Sequence, residues 1–98
     1  MTPTVVFRPA AEHELLEAER WFENRHVDLG QQFRSAVEAT IDRIRQFPLP
    51  FPAVHHDKRR AIVAGFPYAL YFRFFDGQVV VAAVVHAHRD PAVWRSRR

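Results

Sequence analysis

The chain has 98 residues, of which 48% are hydrophobic, and its formal net charge at neutral pH is +3. This length fits one domain with a continuous core and excludes a second domain joined by a linker. The absence of cysteine excludes a disulfide framework and thiolate metal sites. No apolar run has the length of a signal peptide or a membrane span. We therefore expect residues 1–98 to form a single cytoplasmic domain.

The N-terminal residues predict a strand followed by a helix. The run Thr4–Arg8 is rich in strand-forming residues and is ended by Pro9, which is tolerated in the first turn of a helix. Apolar residues then recur at helical spacing, at Leu15, Ala18 and Phe22. Asn24 is placed to end this helix as a left-handed C-cap.

A second helix is predicted to follow almost at once. Asp28 and Gln31 match a capping box at its start. Arg34 and Glu38 are spaced for an ion pair on its polar face. Its apolar face holds over about five turns, at Leu29, Phe33, Val37, Ile41, Ile44 and Phe47. Because the connection between the two helices is short, we expect an antiparallel helical hairpin.

The C-terminal half predicts three strands after a proline-rich loop that runs to Lys58. The strands span about residues 59–64, 67–75 and 78–86, and Asp76-Gly77 between the last two is a strong hairpin signal. The order β-α-α-β-β-β predicts a two-layer α+β domain. The helical hairpin is expected to pack on one face of a mainly antiparallel sheet.

The last predicted strand is apolar on both faces. Strict alternation puts Val79, Val81, Ala83 and Val85 on one face and Val80, Ala82, Val84 and His86 on the other. Helices on one face of the sheet cannot explain both sets. The other face therefore needs a second cover, either the C-terminal segment with Trp94 or another protein. Asp90-Pro91 is a start signal for a short final helix, and we favour the fold-back of Trp94.

Basic and aromatic side chains gather on the predicted sheet and its exit, at Arg59, Arg60, Tyr68, Tyr71, Arg73, His86, His88 and Arg89. Cleavage of RNA without a metal needs a base, an acid and a cation, and these side chains suit such roles. A structural role for Arg73 and Tyr71, with an arginine pair that blunts a sheet edge, explains the pattern as well. His86-x-His88 has a spacing suited to metal, but no acid on that strand completes a site. We expect no metal and no cofactor.

Three segments, in this order, resemble the ParE/RelE family of bacterial type II toxins. They are VVFRPAAEHELLEAERWFE, RRAIVAGFPYALYF and VVVAAVVHAHRDPAVWRSR, and the resemblance covers essentially the whole chain. It implies the β-α-α-β-β-β toxin core and a hetero-oligomer with a cognate antitoxin. In this family, ParE-like members inhibit DNA gyrase. RelE-like members cleave messenger RNA on the ribosome, with basic residues around the sheet.

The resemblance favours the ParE branch. Phe66-Pro67-Tyr68 stands where the nucleases carry a basic residue, and Lys58 is the only lysine. The implied function is gyrase inhibition through a basic target-binding surface, formed by Arg89, Arg95, Arg97 and Arg98. The alternative is a metal-independent endoribonuclease that acts on the ribosome and its messenger RNA, with catalytic residues His86, His88 and Arg73. A third possibility is a non-toxic binding module with a degenerate site.

Overall fold

Eight elements follow one another in the computed structural model, which describes residues 2–98. They are β1 (Thr4–Phe7), α1 (Pro9–Arg25), α2 (Leu29–Gln46), β2 (Ala53–His55), β3 (Lys58–Ile62), β4 (Tyr68–Phe75), β5 (Gln78–His86) and α3 (Ala92–Arg95). The strands form one five-stranded sheet in the order β1-β5-β4-β3-β2. Only β1 and β5 run parallel, and the other neighbours are antiparallel. The predicted α+β fold with a mainly antiparallel sheet is confirmed.

The helical hairpin covers one face of the sheet with the apolar stripes that the sequence predicted. α1 buries Ala11, Leu15, Ala18 and Phe22, and α2 buries Phe33, Val37, Thr40 and Ile44. These side chains share one core with Leu70 and Phe72 of β4, while Ile41 is only partly buried at its border. Within residues 2–98, no helix is both long and apolar enough to cross a membrane.

Gly30 lets the two helices approach closely. A Cβ atom at this position would lie 2.9 Å from the carbonyl oxygen of Glu19 and would overlap Cγ of Glu23. Real Cβ atoms do not approach backbone oxygens so closely, because the atoms would overlap. The start of α2 can therefore cross α1 only with a residue that has no side chain.

Three local predictions about the helices are wrong. α1 continues through Asn24 to Arg25, and the C-cap is His26 in an extended conformation. Asp28 lies at the N-cap of α2 without a side-chain capping bond, because its backbone is outside the extended region that aims the side chain at the helix. Arg34 forms its ion pair with Glu19 instead of Glu38, since its Nη2 donates to Glu19 Oε1 across the hairpin at 2.6 Å, and Glu38 adds only a weaker electrostatic attraction.

A β-bulge interrupts the alternation that was predicted for β5. Tyr71 faces Ala83 across the sheet whereas Phe72 faces Val81, so Ala82 is an extra residue. The strand consequently changes face, and Val84 joins Val79 and Val81 in the core beneath the helices. Ala83 and Val85 lie in the cluster on the opposite face. The predicted grouping is therefore wrong beyond Val81.

The proline-rich segment contains a strand that the sequence analysis placed in a loop. β2 is a short edge strand that pairs with β3, and the turn between them holds His56 at a positive φ of 53°. Arg59 stabilises the preceding loop by donating to the carbonyl oxygens of Leu49 and Phe51. The other hairpin turn forms as predicted, because Asp76 and Gly77 both adopt the positive φ that a tight hairpin turn requires.

Candidate functional site

The C-terminal arm, residues 90–98, folds back over the face of the sheet that the helices leave open. Trp94 is 4% exposed and stacks on Tyr71 with ring centroids 4.0 Å apart and planes 14° apart. Together with Ala69, Ala83 and Val85, the two rings form a second hydrophobic cluster. The predicted second cover of β5 is thus this segment of the chain itself.

Lys58 holds the arm in place from the start of β3. It is 3% exposed, and its ammonium donates to the carbonyl oxygens of Trp94 at 2.8 Å, of Arg95 at 3.1 Å and of Arg97. Burial lowers the pKa of this ammonium, and the nearby Arg73 lowers it further. A compact ammonium has three donors for three carbonyls, which the planar fork of Arg does not reproduce. The one lysine among 14 cations was the only sequence signal for this role.

Arg97 is fixed by the first helix. Its guanidinium donates to both carboxylate oxygens of Glu14, at 2.7 and 3.0 Å, and to the carbonyl oxygen of Ala82 at 3.2 Å. Glu14 Oε1 also accepts the backbone N–H of Val84 at 3.0 Å. Both partners of Glu14 lie at least 70 residues away in the sequence, so local spacing gave no signal for these contacts.

A basic pocket lies where the arm meets the β2–β3 turn and β4. The residues that line it are His55, His56, Asp57, Lys58, Arg73, Arg95, Ser96, Arg97 and Arg98. They include five basic side chains besides the two histidines, and one acidic side chain, that of Asp57. The fold therefore concentrates positive charge at one end of the sheet, which the net charge of +3 does not reveal.

The electrostatics of this basic pocket are set by close neighbours. Arg73 Nε donates to Asp57 Oδ2 at 2.9 Å, and this hydrogen bond lowers the pKa of the Asp57 carboxyl. The guanidinium of Arg73 also lies over the ring of Phe75, 4.6 Å from its centroid. The pKa of His55 is lowered by burial and then by nearby positive groups. His55 therefore favours its neutral form.

A second depression, the α1–β5 cleft, lies at the other end of β5. It is lined by Glu14, Glu17, Ala18, Trp21, Tyr68, Val84, Val85, His86 and Arg89. His86 Nδ1 accepts the backbone N–H of His88 at 3.2 Å. Burial raises the pKa of the Tyr68 hydroxyl. Among residues 2–98, no three His, Asp or Glu side chains are grouped to hold a metal ion.

The predicted site residues divide between these two places. Arg95, Arg97 and Arg98 meet in the basic pocket, whereas Arg89 lies in the α1–β5 cleft. Arg73 also lines the basic pocket, although the nuclease hypothesis grouped it with His86 and His88. Arg73 faces Val80 on β5, whereas His86 faces Tyr68, which lies five residues before Arg73 on β4, a distance of about 17 Å. The structure thus does not bring the three proposed catalytic residues together.

Phe66-Pro67-Tyr68, which marked the ParE branch in the sequence, contributes to packing. The rings of Phe66 and Tyr68 contact Phe22 of α1 and Phe33 of α2, with centroids 5.0 to 5.8 Å apart. Three of these four contacts are at most 5.3 Å, which is a favourable edge-to-face spacing. The motif connects the helical hairpin to the start of β4.

A helical hairpin on a five-stranded mixed sheet has a counterpart among solved structures. The structure of a chromosomal ParDE toxin–antitoxin system from P. aeruginosa superposes with a TM-score of 0.76 over 87% of this chain and 96% of that chain, at 9% identity. The family profile described as "ParE toxin of type II toxin-antitoxin system, parDE" matches residues 5–91. The chain therefore belongs to the ParE toxin family of type II toxin–antitoxin systems. A comparison with curated protein sequences gives no significant match.

Proposed function

We propose that this toxin inhibits DNA gyrase in the cytoplasm and is neutralised by a cognate antitoxin in a hetero-oligomer. The observation that carries the proposal is the match of the ParE family across residues 5–91, which includes both helices and the whole sheet from Val5 onward. The similarity to a ParDE toxin–antitoxin structure supports the antitoxin as a partner.

The basic pocket is the proposed target-binding surface. Arg95 and Arg98 are exposed there, and within residues 2–98 their side chains form neither a salt bridge nor a hydrogen bond. Arg97, which the sequence placed in the same set, is engaged with Glu14. Its role is to position the arm, while Arg95, Arg98 and the outer edge of Arg73 remain available to a target.

Antitoxin binding is proposed on the helical side of the molecule. Leu16 and Trp21 are exposed on α1, and Leu16 lines a depression together with Phe7 of β1 and Arg34 of α2. Apolar side chains on adjacent elements suit an amphipathic helix laid across them. The two apolar faces of β5 do not contribute, because Val79–Val85 are buried by the helices and the C-terminal arm.

A nuclease mechanism has less support from this geometry. It needs a base, an acid and a cation around one scissile phosphate, and Arg73 lies at the far end of β5 from His86 and His88. The ribosome and its messenger RNA are therefore the alternative target. The experiment must distinguish cleavage of messenger RNA from inhibition of gyrase.

The test is DNA supercoiling by purified gyrase with increasing amounts of the toxin. We expect the wild-type toxin to inhibit supercoiling and an Arg95→Gln, Arg98→Gln variant to inhibit it at least tenfold less. An Arg20→Gln, Arg43→Gln variant removes the same charge from the helices and should behave like the wild type. Cleavage of ribosome-bound messenger RNA by the toxin, with supercoiling unaffected, would contradict the proposal.

A further inference from the structure

We infer that the basic pocket binds a phosphodiester group of a nucleic acid. This inference rests on the proposed function in one respect, since the same pocket forms the proposed target-binding surface. It goes further in naming the chemical group that this surface recognises, and the binding can be measured without gyrase.

Part of the positive charge in the pocket stays uncompensated. Arg73 is paired with Asp57, and Arg97 is paired with Glu14. Lys58 donates to neutral carbonyl groups, and Asp57, which attracts its ammonium, is shared with Arg73. The five cationic side chains of the pocket therefore face two carboxylates, Asp57 and Glu14, which leaves an excess of three positive charges. Like charges held so close together favour an anion between them.

The pocket also offers hydrogen-bond donors that are not yet occupied. Asp57 occupies only Nε of Arg73, so both terminal nitrogens of that fork remain open. Arg95 and Arg98 supply two more forks from the arm, and Ser96 adds a hydroxyl between them. A guanidinium fork matches two oxygens of one phosphate, which is why Arg recurs in phosphate recognition.

The polar lining of the pocket suits a phosphate better than an acidic protein surface. A protein interface centres on exposed aromatic or apolar anchors surrounded by a polar rim. Among residues 2–98, no apolar residue lines this pocket. Of the two aromatic residues beside it, Trp94 is buried against Tyr71, and the ring of Phe75 lies under the guanidinium of Arg73. The strongly exposed apolar side chains Phe47 and Leu49 line a different surface, at the end of α2. A pocket that is polar throughout suits a phosphate backbone better than a protein partner.

The arm is also held rigid before any ligand binds. Lys58 binds three of its carbonyl groups, Trp94 anchors it in the second cluster and Arg97 attaches it to α1. Because these interactions fix the backbone that carries Arg95 and Arg98, little ordering is required on binding. The pocket is a preformed anion site.

The experiment is fluorescence anisotropy with three labelled 16-mers of one sequence, as duplex DNA, single-stranded DNA and RNA. We expect the wild-type toxin to bind at least one of the three 16-mers with an affinity that falls as salt is added. The Arg95→Gln, Arg98→Gln variant should bind that same 16-mer at least tenfold more weakly. The slope of log affinity against log salt should fall by about 1, because the pocket would no longer neutralise the one phosphate that it binds. The three 16-mers identify the kind of nucleic acid.

The control variant Arg20→Gln, Arg43→Gln has the same net charge and should retain wild-type affinity and slope. Equal weakening in both variants would overturn the inference, because binding would then depend on overall charge. Tighter binding of polyglutamate than of every 16-mer would also overturn it. Circular dichroism melts of both variants establish that each remains folded.

Comparison with supercoiling separates the two proposals. If the 16-mers bind in the pocket and gyrase is not inhibited, the inference stands and the proposed function fails. If gyrase is inhibited through Arg95 and Arg98 but none of the three 16-mers binds, the proposed function stands and the inference fails.

Discussion

Glu14 and Arg97 join the first helix to the C-terminal arm through two parallel hydrogen bonds. The pair also covers an exposed sheet edge, because β1 ends at Phe7 opposite Val81 and leaves the rest of β5 without a neighbouring strand on that side. Val84 N–H and Ala82 C=O are the groups that the two side chains occupy. A free strand edge invites pairing with another chain, and this ion pair blocks it.

A double-mutant cycle with Glu14→Gln and Arg97→Gln tests this ion pair. Glu14→Gln retains a side-chain oxygen that can accept the hydrogen bond from Val84 N–H. The cycle therefore measures the interaction between the carboxylate and the guanidinium. We expect a coupling free energy of about 1–2 kcal/mol from urea unfolding, since both side chains are largely shielded from water. Single-variant effects that simply add would show that the pair contributes nothing to the free energy of unfolding.

Trp94→Ala should lower the free energy of unfolding by about 3–5 kcal/mol, because it removes the ring that stacks on Tyr71. Trp21→Ala makes the same substitution at a residue that is 49% exposed and should cost much less. Chemical denaturation of both variants measures the difference. Similar losses for the two would mean that the arm does not pack stably on the sheet.

Ile44→Ala and Ile62→Ala compare one substitution inside and outside the core. Ile44 is 1% exposed under the helices, whereas Ile62 is 48% exposed on β3. The first should cost about 2–5 kcal/mol of unfolding free energy and the second below about 1 kcal/mol. Thermal and urea unfolding check the ranking, and a reversed order would contradict the assigned helix face.

Gly30→Ala should destabilise the toxin although alanine is the better helix former by about 1 kcal/mol. The added Cβ would press on the backbone oxygen of Glu19, so the helices must separate. Ser35→Ala, at an exposed position of the same helix, serves as the control and should be neutral or slightly stabilising. An increase in melting temperature for Gly30→Ala would show that the helix crossing is looser than described.

His55 makes stability depend on pH on the acidic side. Its pKa in the folded chain is lowered by burial and by His56, Arg95 and Lys58, so the unfolded chain takes up a proton first. The free energy of unfolding should therefore fall as pH drops below the usual histidine value of about 6.5. The fall should level off once pH passes below the pKa of the folded state. His55→Gln should reduce this slope, and an unchanged slope would assign it to other groups.

Most of the fold follows from periodicity and turn chemistry. The helical stripes of α1 and α2, the Asp76-Gly77 turn and the fold-back of Trp94 are all confirmed. These features depend on local spacing or on the need to cover apolar surface. The bulge at Ala82 is not a property of the β5 sequence, because it depends on how that strand pairs with β4. The strand β2 has only 3 residues and stands beside prolines, which gives it no periodic signal.

The candidate site was less predictable for a similar reason. The arginines of the arm were visible in the sequence. Their proximity to His55 and Arg73, however, depends on the β2–β3 hairpin and on the path of the arm across the sheet. Lys58 and Glu14 act on residues 36 or more positions away. Such interactions leave no pattern in local sequence. The assignment of Arg97 to target binding did not anticipate that Glu14 binds it.

The parallel pairing of β1 with β5 has a consequence for the order of events during synthesis. Thr4 pairs with Gln78, and Phe7 pairs with Val81. The first strand therefore leaves the ribosome long before its only neighbour exists, and such distant pairings form late in folding. Lys58 and Glu14 likewise cannot form their hydrogen bonds to Trp94 and Arg97 until the arm has been synthesised. A nascent chain that is released early lacks both the complete five-stranded sheet and the basic pocket. The proposed target-binding surface therefore forms only after nearly all of the chain has been translated.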